Sequence, residues 1–331
     1  MNTKGIEKVV AIVGPTGTGK TNFALKLAKK FNGELINCDS RQVYRGMDIG
    51  TNKGEIQVNT DTETFKNKII NAYNIENSNV SGWLFDILEP NEQLNLAEYQ
   101  ELTYYIINKI QARGHLPILV GGTGLYLDAL VKGYRLSSIK PDLKLRKNLE
   151  KLNAKKLFDK LFKFNKERAN LLNESDSHNP RRLIRAIEES IAQLSGKNNE
   201  NIQKDIVFKK LEIIIIYPDF KREELFLNID ARVLEMIASG LIEETKKIIN
   251  KYSQNLEILK GIGYKEVIEY LDGKITLSEM IAKIQQGHRN YAKRQITWFE
   301  GEKRNYDLLK IDFNQKNLGE KIKELILLLQ S

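Results

Sequence analysis

The chain has little of what most redox and zinc sites need. Its 331 residues include one cysteine, Cys38, and three histidines. One cysteine excludes an internal disulfide, and no Cys-x-x-Cys or His-x-x-x-His pattern is present for zinc. Any metal is then expected to be a hard cation on oxygen ligands, most simply Mg²⁺ beside phosphates. No apolar run is long enough to span a bilayer, the best candidate being 211–217, and the chain enters its first strand almost at once, so a cytoplasmic enzyme without a membrane partner is expected. Prolines number only 6; with the Lys, Asn and Ile bias this reflects an AT-rich genome rather than a function. No internal repeat or low-complexity tract is evident. Acidic side chains are outnumbered, 43 against 52 basic, for a net charge of +9. The surplus is local, since residues 140–210 hold 18 basic and 10 acidic side chains. Such a region suits a polyanionic partner, although charge alone also serves solubility.

The most informative stretch is Gly14-Pro15-Thr16-Gly17-Thr18-Gly19-Lys20-Thr21. It fits the phosphate-binding spacing G-x-x-x-x-G-K-T, with an apolar strand before it and a helix after it carrying Phe23, Ala24, Leu27, Ala28 and Phe31 on one face. Glycines let several N–H groups converge on one anion, and the helix N-terminus adds partial positive charge. The motif specifies phosphate or diphosphate and leaves the reaction open.

Further along, 33–38 reads as a second buried strand, which places Asp39 near the glycine loop at the carboxyl edge of a sheet. Residues 41–51 have no clean period and read as a functional loop. The polar stretch 60–80 is expected to be an exposed excursion. A strand over 83–88, a helix with Tyr99, Leu102, Ile106 and Ile110 inward, and a strand over 116–120 ending in Gly121-Gly122-Thr123-Gly124 follow. Alternation of this kind predicts an α/β fold with a parallel sheet flanked by helices, of the P-loop NTPase type. The third of these strands ends without the acidic residue that would hold Mg²⁺ in many ATP-hydrolysing enzymes, which disfavours a motor or switch ATPase. From about 140 the pattern turns helical until 211, an inserted all-helical domain. Three segments result: 1–135 as the first part of the core, 136–208 as the basic insertion, and 209–331 as the second part with C-terminal helices.

Within the insertion Asn179-Pro180 marks a helix start followed by Arg181, Arg182 and Arg185. Three arginines there oppose the helix dipole, a conflict that an anionic partner would remove; a solvated turn balanced by Glu188 and Glu189 is the alternative. A final long helix over 278–299 carries Arg289, Lys293 and Arg294 near Tyr291, Trp298 and Phe299. Basic residues among aromatics suit single-stranded nucleic acid, while Trp298 and Phe299 are expected to be buried.

Taken together, the glycine loop, Asp39-Ser40-Arg41-Gln42-Val-Tyr-Arg-Gly-Met-Asp-Ile-Gly-Thr51, Val120-Gly-Gly-Thr123-Gly-Leu-Tyr126, Asn179-Pro-Arg181-Arg182-Leu183-Ile184-Arg185-Ala186, Ile262-Gly-Tyr264 and Tyr291-Ala-Lys293-Arg294-Gln-Ile-Thr-Trp-Phe299 resemble the tRNA dimethylallyltransferase family over most of the chain. The Asp39 stretch is the specific part. The resemblance implies transfer of the dimethylallyl group of dimethylallyl diphosphate to N6 of the adenosine next to the anticodon of tRNA, position 37, with release of diphosphate. It implies that residues Gly14 to Thr21 hold the diphosphate, with Mg²⁺ on Thr21, and that Asp39 is the general base, with Thr16 and Lys260 at the diphosphate. By the same matching, Asp39, Ser40, Arg41, Gln42 and Thr123 meet the flipped base. Arg146 and the run Arg181 to Arg185, including Leu183 and Ile184, lie along the anticodon stem-loop. A monomer of bacterial type is expected. Two positions depart from the pattern: Ser81-Gly82-Trp83 stands where a histidine precedes the Asp86 pair, and His288 where a smaller polar residue is usual. The rival readings are a P-loop small-molecule kinase, an adenylate isopentenyltransferase acting on free nucleotides, and a nucleotide-gated RNA-binding module without chemistry.

Overall fold

A strand that is apolar on both faces must be covered on both sides. In the computed structural model, which describes residues 8–76, 78–134, 139, 141–195 and 211–313, the first apolar run is β1 (Lys8–Val13), buried from Val9 onward. The glycine loop leads into α1 (Lys20–Phe31), which lays Phe23, Ala24, Leu27 and Ala28 on the sheet and ends at Asn32 in the left-handed conformation. After β2 (Gly33–Asn37) the polar stretch expected as an exposed excursion is exposed over most of 60–69, but it is regular strand rather than loop. Residues Ile56–Phe65 and Lys68–Ile75 form β3 and β4, an antiparallel hairpin whose turn residues Lys66 and Asn67 both have positive φ, the backbone twist that two-residue hairpins favour. The Thr-rich alternation of β3 was the overlooked signal, since β-branched residues suit a half-exposed strand. The strand expected over 83–88 is also shorter than its apolar content suggests. At its start β5 (Ser81–Trp83) alone joins the sheet, because Leu84 and Asp86 adopt left-handed φ and turn the chain out of the ladder; Leu88 then forms an isolated parallel bridge with Tyr44.

Helix α2 (Leu96–Ala112) starts from a capping box of Asn95 and Glu98. It is followed by β6 (Leu116–Gly121) and α3 (Gly124–Val131). The chain then divides into two compact units, Met1–Tyr134 with Lys209–Ser331, and Arg135–Phe208. The second unit is helical: α4 (Leu143–Leu149), α5 (Ala154–Phe164), α6 (Lys166–Asn170), α7 (Glu174–Ser177) and α8 (Pro180–Leu194). Asn153, Asn165, Asn173 and Asn179 each accept a backbone N–H at the start of one of these helices, so part of the asparagine richness is helix capping. Its core is Leu149, Leu157, Leu161, Leu183, Ile184 and Ile187.

The first unit resumes with β7 (Glu212–Pro218), α9 (Arg222–Ala238), α10 (Leu241–Lys251), a 3-10 turn over Glu257–Lys260, α11 (Tyr264–Leu271), α12 (Leu277–Glu300) and β8 (Leu308–Ile311). Among the described residues the sheet has eight strands in the order β3-β4-β5-β2-β6-β1-β7-β8, parallel from β5 to β8. A second core joins α9, α10, α11 and α12 to Val43 and Met47, so the loop after β2 is packed rather than free. Phe299 is buried, whereas Trp298 is half-buried beneath the Arg304 guanidinium at 3.8 Å. No helix among the described residues is long and apolar enough to cross a membrane.

Candidate active site

Parallel pairing brings the carboxyl ends of three strands to one edge: Val13 stands beside Gly121, and Asn37 beside Val120. Ligands of open α/β sheets bind at that edge. Here a cleft of about 130 Å³ opens between the glycine loop after β1, Asp39 and Gln42 after β2, and Gly121 and Gly122 at the end of β6. Gly14, Gly17 and Gly19 all have positive φ, which lets the loop curl before Lys20 opens α1.

Inside the loop, polar groups are held by the second half of the unit. The Thr16 N–H donates to Gln295 Oε1 at 2.9 Å, and Gln295 Nε2 donates to the Gly122 carbonyl at 2.9 Å. Arg232 on α9 donates to Thr16 Oγ1 at 3.1 Å. Lys20 Nζ donates to the Pro15 carbonyl at 2.6 Å. Burial, with the Arg232 charge next, lowers the Lys20 pKa to about 7 against the opposing pull of Asp39. Burial also lowers that of Arg232. Two cations crowded into a desolvated cleft are a site prepared for an anion.

Asp39 faces the same cleft. Buried Asn37 fixes its backbone, accepting the Asp39 N–H at 2.9 Å and donating to the Asp39 carbonyl at 3.0 Å. Asp39 Oδ1 accepts the Arg41 N–H at 2.8 Å. Desolvation raises the Asp39 pKa, and the Arg41 N–H and the Lys20 charge oppose that rise. Ser40 N–H donates to Thr123 Oγ1 at 2.9 Å, so the loops after β2 and β6 are tied together. Gln42 Nε2 donates to the carbonyls of Thr51 and Asn52 at 3.2 and 3.0 Å. A carboxylate set against an anion-binding loop can accept a proton while a leaving anion is stabilised.

The structure therefore brings Thr16, Lys20, Thr21, Asp39 and Gln42 to one cleft, with Ser40 and Thr123 tied to each other beside it. It does not bring Lys260 there: that side chain is 70% exposed and pairs with Glu257 at 2.5 Å. Trp83 does not line the cleft either; it donates to Glu34 at 2.5 Å under the Arg113 guanidinium and holds β5 to β2. His288 is held neutral, since burial and the Arg232 charge lower its pKa to about 4. On α12, Arg289 pairs with Asp230, Lys293 lies over the Phe226 ring at 5.7 Å and Arg294 over Tyr291 at 5.5 Å.

In the helical unit Leu183 and Ile184, expected among the RNA-contacting residues, are 0% and 6% exposed and form the apolar face of α8. Alternation along a helix puts neighbours of an exposed arginine inward. Arg146 makes two bonds of 2.7 Å to buried Glu188, and Arg185 reaches Glu189 at 3.0 Å. Arg182 pairs with Asp176. Much of the charge conflict at the start of α8 is thus met within the unit, and Arg181 stands exposed in its first turn.

Sequence reasoning missed Arg232, Gln295 and Glu244. The usable signal was a polar residue on an otherwise apolar stripe, as Gln295 lies between Ala292 and Phe299.

Among the described residues no group of three His, Cys, Asp or Glu side chains could hold a metal. The Thr21 hydroxyl is an oxygen donor in the cleft. It fits a hard cation carried mainly by phosphate oxygens rather than a protein cage.

Residues 42–304 match the family model described as IPP transferase. The tRNA dimethylallyltransferase of Halalkalibacterium halodurans is 37% identical over 318 residues, covering 94% of both chains. That of Geobacillus kaustophilus is 39% identical over 299 residues, covering 89% of this chain and 88% of its own. Among solved structures, the full-length tRNA isopentenylpyrophosphate transferase of Bacillus halodurans is similar with a TM-score of 0.66 and 36% identity, covering 98% of this chain and 97% of its own. A eukaryotic dimethylallyltransferase acting on tRNA gives 0.73 at 28% identity, covering 96% and 77%.

Proposed function

This chain belongs to the IPP transferase family, and from that premise we propose that it transfers the dimethylallyl group of dimethylallyl diphosphate to N6 of the adenosine next to the anticodon of tRNA, position 37. The observation that carries the reading is the shared cleft: a carboxylate, Asp39, faces the same space as Thr16, Lys20 and Arg232. A kinase acting on a small acceptor would share the loop, the sheet and a carboxylate for the acceptor's proton, but it has no need of the Asp39-Ser40-Arg41-Gln42 segment or of the basic helical unit.

Each group then has one task. The loop N–H groups, Lys20 and Arg232 hold the diphosphate and gain in strength as negative charge develops on it. The N6 lone pair forms the new bond to the allylic carbon as the carbon–oxygen bond breaks, its electron pair leaving with the diphosphate. The N6 proton passes to Asp39, whose raised pKa makes it a better base. Ser40, Arg41, Gln42 and Thr123 hold the base, which must leave its stack and does so cheaply in a loop. Thr21 would hold Mg²⁺ together with phosphate oxygens; bound there, the ion would neutralise charge on the diphosphate. The basic helical unit gives phosphate contacts that position the RNA without reading it.

The experiment is incubation of purified protein with Mg²⁺, dimethylallyl diphosphate and unmodified tRNA, followed by mass analysis of the nucleosides. One adenosine should gain an isopentenyl group. Modification of free adenine nucleotides in preference to tRNA, or consumption of ATP with a small acceptor and no tRNA product, would overturn the assignment.

A further inference from the structure

Residues 38–55 join β2 to β3 and carry the segment that faces the cleft, yet they form no helix or strand. Buried polar groups hold them instead. Glu244 on α10, 8% exposed, accepts the backbone N–H groups of Asp48 at 2.8 Å, Ile49 at 2.8 Å and Gly50 at 3.0 Å, and the Tyr264 hydroxyl at 2.8 Å. A carboxylate has about four acceptor sites, so this one is saturated by the turn it holds. Gly50 lies so close to Tyr264 that a Cβ there would stand 2.4 Å from the ring. Lys53, with its side chain fully buried, donates to the Tyr44 carbonyl at 2.7 Å and pairs with Asp48 and Asp86. The turn closes with the Lys53 N–H on the Asp48 carbonyl at 2.9 Å. Its carbonyls at Thr51 and Asn52 take the amide nitrogen of Gln42. An amide whose nitrogen is used in this way is oriented, and it leaves its oxygen to act as an acceptor for other partners.

The geometry points to Glu244 as a positioning residue for base selection: the buried carboxylate sets the turn at 48–53, the turn sets the Gln42 amide, and the amide offers adenine an acceptor. This rests on the transfer reading above, in which Gln42 meets the base. Adenine presents an N–H donor at N6, whereas guanine presents a carbonyl at the same place, which an acceptor repels. Glu244 touches neither substrate.

Three measurements test it. Glu244→Gln keeps the side chain's shape but replaces one acceptor by an N–H donor facing the turn. Its kcat/KM for tRNA should fall on the order of 10²-fold, as a misplacement of about 1 Å near reacting groups does, while affinity for inorganic diphosphate, read by calorimetry, stays at the wild-type value. Tyr264→Phe removes one of the four donors, keeps the ring against Gly50, and should give a smaller loss in the same parameter. In a Gln42→Ala background Glu244→Gln should add little, because residues acting through one another are not additive. Equal losses in both backgrounds, or a parallel loss of diphosphate affinity, would overturn the role of Glu244. Absence of transfer by the wild-type protein would instead remove the underlying reading, and the inference with it.

Discussion

Gln295→Ala should loosen the glycine loop while leaving the sheet in place. Gln295 is 4% exposed and uses both ends of its amide, accepting from Thr16 N–H and donating to the Gly122 carbonyl, each at 2.9 Å. The Gly122 carbonyl is buried, so removing its partner costs about 1–3 kcal/mol. Thr16 borders the cleft and water can replace its partner, so that side adds about 1 kcal/mol, the low end of the same range. The total is about 2–4 kcal/mol, which at a few degrees per kcal/mol lowers Tm by roughly 5–10 °C. Gln295→Glu is the sharper variant. It keeps the acceptor for Thr16, offers nothing to Gly122, and adds a negative charge beside the anion site. Melting should fall as for alanine, and diphosphate affinity should fall further than for alanine. Thermal melts with and without diphosphate, and calorimetric titration, measure both. Equal diphosphate affinity of the two variants, or an alanine variant that melts with the wild type, would refute the reasoning.

Further outcomes follow from the same geometry. The Lys20 pKa is lowered to about 7 in the free protein, and a bound anion would raise it. Diphosphate affinity is therefore full below pH 7 and declines as pH rises through 7 towards the higher value of the bound form. Lys20→Arg stays charged and should show no such decline, and parallel wild-type and variant curves would sink this account. Asp39→Asn removes the proton acceptor and should cost about 10²–10⁴-fold in transfer with tRNA binding retained in a filter assay; the wild-type rate should rise with pH through the raised Asp39 pKa. Arg181→Glu, in the exposed first turn of α8, should weaken tRNA binding and lower the salt slope by about 1. Arg185→Glu should in addition lower the melting temperature, because it turns the partner of Glu188 and Glu189 into a like charge. An unchanged salt slope for Arg181→Glu would leave that turn as solvated charge only.

What the sequence made legible was local. The glycine loop, the strand before it and the helix after it were readable because every residue of that motif answers to one backbone path. Asp39 was placed at the cleft by counting from a buried strand whose end the sheet aligns with β6. The hairpin β3–β4 was not legible, because Thr and Asn serve both strands and exposed loops, and only cross-strand pairing decides between them. The short β5 was missed for the opposite reason: its apolar continuation is spent on core packing by Leu84 and Phe85 after the backbone has left the ladder.

The rest of the site lay beyond periodicity for a reason of distance along the chain. Thr16 and Gln295 are 279 residues apart, Thr16 and Arg232 216, and Asp48 and Glu244 196. A helical period states that Gln295 and Glu244 lie on inward faces, and nothing in it states what those faces meet. Burial makes the difference: an inward glutamine or glutamate without partners would cost more than the helix gains from its apolar neighbours, so such a residue on an apolar stripe signals a polar backbone elsewhere that needs holding. In this chain that backbone is the glycine loop for Gln295 and the turn behind Gln42 for Glu244. The two irregular segments that form the cleft are thus shaped by side chains from the C-terminal helices, and the order of the site depends on α10 and α12 as much as on the strands that carry it.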